Sequence, residues 1–139
     1  MPRPVTLFTG QFADIPLEQL AKKAAAWGYD GLELACWGDH VDVTRAAKDK
    51  KYAKSRVDIL ADHGLKVYAI SHHLAGQLVC DPNDDSRSDM FAPPACKGYA
   101  DAKRKWAIQT MKETAKAAEN IGVKTVNGFT GSPIWHLLY

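Results

Sequence analysis

Cysteine is scarce in this 139-residue chain: Cys36, Cys80 and Cys96 form an odd, scattered set with no close CxxC pair. That pattern excludes a disulfide framework and a zinc knuckle, and it suits the reduced thiols of a cytoplasmic protein. Neither sign of charge dominates, with 18 basic against 16 acidic side chains and a formal net charge of +2. A dedicated nucleic-acid or membrane surface is therefore not expected. No apolar run approaches the roughly 20 residues that a membrane span needs. The opening Met1-Pro2-Arg3-Pro4 leads straight into a strand-like run, without a signal peptide's apolar core and small-residue cleavage site. No GxGxxG or Walker loop follows that first run, which removes the commonest nucleotide-binding folds. What remains is ordinary globular composition, 46% hydrophobic and 24% charged, enough for a single domain over residues 1–139 with a real core.

Three segments read alike: an amphipathic helix, a glycine, a short apolar strand and a polar loop. Gly28 precedes Gly31-Leu32-Glu33-Leu34-Ala35, Gly64 precedes Lys66-Val67-Tyr68-Ala69-Ile70-Ser71, and Gly122 precedes Lys124-Thr125-Val126-Asn127-Gly128-Phe129. Glycine just past a helix closes its last turn in the left-handed conformation. The first helix is expected from Asp14 as N-cap, with Pro16 in its first turn and Leu17, Leu20, Ala21, Ala24 and Trp27 at helical spacing. A second is expected over about 50–63, with Ala53, Val57, Leu60 and Ala61 on one stripe. A third is expected over about 101–121, with Ala107, Met111, Ala115 and Ala118 inward. Val5 to Thr9 opens the series, so the order is β-α-β-α-β-α-β.

Strands that alternate with helices call for a parallel sheet with right-handed crossovers. Along the strands apolar residues alternate with small or polar ones: Leu32 and Leu34 oppose Gly31, Glu33 and Ala35, and Tyr68 and Ile70 oppose Val67, Ala69 and Ser71. That suits strands with one face on helices and the other lining a barrel, whose chemistry sits at the strand carboxyl ends. The expected fold is α/β, a (β/α) TIM-barrel type amounting to half a barrel: four parallel strands and three helices. Residues 75–100, with Asp81-Pro82-Asn83-Asp84-Asp85 and Pro93-Pro94, read as a long irregular loop, of a length more often functional or mobile than idle.

Four stretches in order carry a family resemblance: Val5 to Gln11, Gly28 to His40, Ala69 to Gln77, and Gly128 to His136. Together they resemble the amino-terminal half of the sugar-phosphate isomerase/epimerase family of xylose-isomerase-like TIM barrels. The resemblance implies proton transfer next to the carbonyl of a sugar or sugar derivative, assisted by a divalent metal such as Mn²⁺, Mg²⁺ or Zn²⁺. Such chemistry needs a base, an acid and a group to hold enediolate charge. Family members usually draw their metal ligands from the fifth to eighth strands, so a complete metal site is not expected here.

The resemblance places His73 at the substrate or metal position beyond the third strand, as a candidate metal ligand; the plainer alternative is a loop histidine packed on Trp37 or bonded to backbone. His72 should point the other way, toward the helices. Glu33, on the interior strand face, needs a specific partner to offset desolvation: a substrate hydroxyl, a lysine or a backbone amide. Trp37 offers a flat wall for a sugar ring. Cys36, Asp39 and His40 could be imagined as metal ligands, but three groups from one short loop rarely converge, and a solvated loop is the better reading. Asn127, Thr130, Ser132 and His136 cluster after the fourth strand, where the Gly-Phe-Thr-Gly-Ser turn either offers amides to a phosphate or hydroxyl or is an ordinary turn. The basic stretch from Lys97 to Lys105 reads as a solvated helix face.

Half a barrel leaves two strand edges unpaired. A homodimer, or the missing half-barrel as partner, would cover them. The ending Trp135-His136-Leu137-Leu138-Tyr139 reads as interrupted, so a truncated isomerase or epimerase is the leading expectation. A non-catalytic sugar-binding half-barrel is the alternative. A metal-dependent abasic-site endonuclease is weakened, because Asn127-Gly128-Phe129 lacks the histidine that relative carries near its fourth strand.

Overall fold

The computed structural model describes residues 3–134 and 137. Its strands are β1 (Thr6–Phe8), β2 (Gly31–Ala35), β3 (Lys66–Ser71) and β4 (Val126–Asn127), in one sheet of order β1-β2-β3-β4. β1 pairs parallel with β2, and β2 parallel with β3. β4 continues in step: the Ile70 amide donates to Thr125 O at 3.2 Å and the His72 amide to Asn127 O at 3.0 Å. Sequential neighbours in a parallel sheet are the topology of a (β/α) barrel segment, as the strand–helix alternation implied.

The α-helices are α1 (Leu17–Ala26), α2 (Val43–Lys48), α3 (Lys50–Ala61), α4 (His73–Gln77) and α5 (Ala100–Ile121). Gly28, Gly64 and Gly122 all take left-handed φ, at 86°, 75° and 89°, so the repeated glycine does close each helix. Two short helices, α2 and α4, were not legible. α2 is a single capped unit, with Asp42 accepting the Arg45 amide at 3.0 Å, and it ends where Asp49 caps α3 through the Lys51 and Tyr52 amides. The cap of α1 also differs from expectation. Asp14 is exposed and the helix begins after Pro16, where the Leu17 amide donates to Asp39 Oδ2 at 3.0 Å from the loop after β2.

The described residues pack as two compact units. The first comprises residues up to Ser71 together with Glu113–Val126. Its core joins Leu17, Ala21 and Ala24 of α1, Leu32 and Leu34 of β2, Leu60 of α3, Ile70 of β3, and Ala117, Ala118 and Ile121 of α5. The alanines let the helices lie close to the sheet, and the larger residues on the strands fill the space between. Periodicity misplaced a few faces. Trp27, at 54% exposed, rests its ring near Phe12 instead of in the core. Ala61 and Ala115 are exposed, and α5 buries Thr110, Thr114 and Ala117 in place of Ala115. In β3 the register passes from Leu32↔Val67 to Glu33↔Ala69, so Tyr68 is the extra residue of a β-bulge. Val67 and Ile70 therefore both pack on the helix-side core, and simple alternation fails there.

The second unit comprises His72–Lys112 and the residues from Asn127 onward. Its core is small, with Leu78, Ala92 and Ala107 buried against Val79, Phe91, Cys96 and Trp106. The stretch 75–100 is not irregular throughout: it completes α4 and adds 3-10 turns at Ser86–Phe91 and Pro94–Cys96. What orders it is Lys103, which corrects the reading of a wholly solvated basic face. Lys103 is 1% exposed, pairs with Asp89 at 2.5 Å, and donates to Ser88 Oγ at 2.7 Å, Asn83 O at 3.1 Å and Asp85 O at 3.3 Å. A buried ammonium is tolerated here because carboxylate, hydroxyl and carbonyl oxygens replace its hydration shell. Removing the charge leaves those oxygens facing an apolar gap. Lys103→Met should lower stability by about 3 kcal/mol in urea titration and raise amide exchange over residues 83–89. Unchanged stability and exchange would show that the pair is incidental.

Candidate ligand-binding site

In the first unit the carboxyl end of the sheet carries a carboxylate and an aromatic wall. The register sets Phe8, Glu33 and Ala69 side by side across three strands. Because Leu32 and Leu34 face the helix-side core, Glu33 lies on the opposite face, half-buried, as the alternation in β2 required. Trp37 stands edge-on to Phe8, ring centroids 5.9 Å apart at 75°. The pair closes over Gly10, where an added Cβ would fall 2.7 Å from the Trp37 ring. Phe8 was missed as a wall residue, since a lone aromatic in an opening strand carries no signal of its own.

The Cys36–His40 loop is structural. His40 is fully buried, with Nε2 3.0 Å from Ile15 O and Nδ1 2.9 Å from Thr9 Oγ1. A carbonyl can only accept, so Nε2 carries the proton, and Nδ1 accepts from the Thr9 hydroxyl. That hydroxyl in turn accepts the Ala35 amide at 2.9 Å. Burial pushes the Cys36 thiol up to about 12, against a smaller downward pull from its backbone hydrogen bond at Ser71. Asp39 is engaged as the cap of α1. Both His40 nitrogens are hydrogen-bonded and the Asp39 carboxylate caps α1, so these side chains are used structurally and do not converge as a ligand set. The expectation of a solvated loop is corrected too, for Cys36 and His40 are buried.

In the second unit the residues that follow β3 meet the end of β4. His72 is the N-cap of α4: its Nδ1 accepts the Ala75 amide at 3.3 Å, and its ring stands edge-on to Trp106 of α5 at 6.4 Å. It thus faces the helix, as read from the sequence. His73, one residue on, tilts against Phe129 with centroids 4.6 Å apart. Asn127, at the end of β4, is half-buried, and its carbonyl receives the His72 amide.

The turn after β4 is held by one buried carboxylate. Asp81, 7% exposed, accepts the Ser132 amide on Oδ1 at 2.7 Å and Gln77 Nε2 on Oδ2 at 2.7 Å. Its carbonyl accepts from Arg104 at 3.1 Å, and the Cys80 amide donates to Thr130 O at 3.0 Å. Ser132's amide is therefore spent on Asp81, which removes one donor from the expected amide cradle. Gly76 admits the Phe129 carbonyl where a Cβ would stand. The outcome is a cleft of about 400 Å³ lined by Gln77 and by Gly128 to Ser132. Thr130 and Ser132 thus share one cleft, and His73 packs on its Phe129 wall. His136 lies outside the described residues. Asp81 was missed because its role depends on a partner some fifty residues away, and Gln77 because its role depends in turn on Asp81.

Among the described residues no three His, Cys, Asp or Glu side chains converge as metal ligands. A divalent ion bound through His73 would need donors beyond them. No helix of the described residues is long and apolar enough to cross a membrane.

The parallel sheet with functional groups at its carboxyl ends is that of a β/α-barrel domain. The sequence matches the family described as xylose isomerase-like TIM barrel over residues 21–137, and the chain belongs to that family. No curated protein matches the sequence.

Burial pushes the His72 imidazole down to about 4, helped by the charge of His73 and opposed by a backbone hydrogen bond. An unfolded histidine takes up its proton near 6.5, so between 6.5 and 4 the unfolded chain binds more protons than the folded one. Stability should therefore be fully present above pH 6.5 and fall as pH drops toward 4, by roughly 3 kcal/mol from this group. His72→Asn keeps a cap acceptor but cannot titrate, so its urea midpoint should show a shallower acid loss than the parent. Identical profiles would remove His72 as the cause.

Proposed function

We propose that this chain supplies the sugar-binding half of a barrel that isomerises or epimerises a sugar or sugar derivative. The observation that carries the reading is the cleft at the carboxyl ends of β3 and β4, where Thr130 and Ser132 lie beside the Phe129 ring that packs on His73. That end of a β/α barrel is where the fold places its chemistry, and hydroxyls, a small-residue turn and an aromatic face are the groups that hold a polyol. His73, packed on the Phe129 wall of this cleft, is the nearby group suited to move a proton or to bind a substrate oxygen. On the first unit, Glu33 is suited to accept a substrate hydroxyl and Trp37 to cover a ring face.

Proton transfer next to a carbonyl also needs a group to hold enediolate charge. A divalent metal supplies that when bound, as a Lewis acid. Its donors are assigned to strands other than these four, since a closed barrel takes eight.

Solvent deuterium reports this chemistry without knowledge of the product. In D₂O with added Mn²⁺, the protein in its native assembly should place deuterium on the carbon next to the carbonyl of at least one ketose in a panel, read by NMR. His73→Ala should slow that exchange at least tenfold. A panel with no exchange, or a variant as fast as the parent, would contradict the assignment.

A further inference from the structure

Beside the Gly128–Ser132 cleft lies a second cavity of about 400 Å³, and the two share Gln77 and Phe129. We propose that this cavity is a specificity lobe of the same site, and that the ligand is a neutral sugar derivative carrying an apolar group about the size of an aromatic ring. The inference rests on the sugar-binding reading above and names its substrate class.

Three observations carry it. The first is chemical contrast. The cleft is lined by small residues, two hydroxyls and an amide side chain, whereas the second cavity adds Pro82, Met90 and Phe91 to Phe129. Met90 is 74% and Phe129 58% exposed, which is costly for residues of this size unless an apolar group covers them. A thioether beside aromatic rings is a favourable surface for another ring.

The second is charge. The polar wall of the cavity includes Asp81, Asp84 and Asp85 against one cation, Arg87. That guanidinium is already committed to Asp85, through Nε at 2.7 Å and the terminal nitrogen at 2.5 Å. A phosphate entering the lobe would meet surplus negative charge, so the ligand is unphosphorylated at this end.

The third is rigidity and size. Asn83 turns the chain at φ 64° and donates Nδ2 to Leu78 O at 2.7 Å, while Lys103 fixes Asn83, Asp85, Ser88 and Asp89 from below. The lobe is thus built on an ordered frame. Each cavity is already of ligand-binding size, so a lone monosaccharide in the cleft leaves the lobe unfilled.

The test uses the full chain and NMR titration with matched probes: methyl, phenyl and 6-phosphorylated forms of glucose, galactose and mannose. At least one phenyl glycoside should bind ten or more times tighter than its methyl counterpart, and the matching phosphate more weakly than either. Met90→Asp, at an exposed position, should narrow the phenyl-to-methyl ratio below about twofold. Equal binding of phenyl and methyl forms, tighter binding of phosphates, or an unaltered ratio in Met90→Asp would overturn the lobe while leaving the sugar site standing. Absence of binding by every probe would overturn both.

Discussion

One carboxylate decides the shape of the candidate site. Asp81 follows α4 by four residues, and its two oxygens reach in different directions, one to the Gln77 amide and one to the Ser132 amide beyond β4. Segments far apart in sequence are thereby fixed at hydrogen-bond distance in a largely buried setting. Such charge-assisted bonds contribute about 1.5–3 kcal/mol each. Without them the turn after β4 would lose its tie to the segment after α4, and the cleft and the apolar lobe beside it would lose a shared support.

The second unit is held by polar groups more than by its small apolar core. Asp81 organises the turn, Lys103 organises the 83–89 stretch, and Arg104 reaches the carbonyls of Asp81 and Pro82. The first unit is the reverse: one continuous apolar core, with the buried His40–Thr9 link joining the loops after β1 and β2. A site needs loops with fixed geometry but without bulk, and the polar networks of the second unit give its loops that.

The sheet was legible in the sequence because its signals are local and repeated. Helix stripes, closing glycines and two-residue alternation each predict one element, and together they imply parallel neighbours. Where alternation broke, at Tyr68, a bulge had inserted one residue that no period of two can anticipate. Trp27 and Ala115 fit a helical period, yet burial depends on what lies opposite, which a period does not contain. Residue type at strand ends singled out Glu33 and Trp37 in the first unit, and His73 and the turn after β4 in the second, as candidates. Roles were not legible where a distant partner sets them: Phe8 against Trp37, Asp81 against Ser132, and Lys103 buried beneath a stretch that reads as solvated. His40 shows the same limit, being a plausible ligand by type and a buried structural link by position.

The Asp81 bridge is measured most directly by amide hydrogen exchange at Ser132. In the parent chain that amide should be protected, and Asp81→Ala should raise its exchange about a hundredfold while leaving the α1 and β2 amides as they were. Rapid exchange at Ser132 in the parent, or the same rate with alanine at position 81, would contradict it.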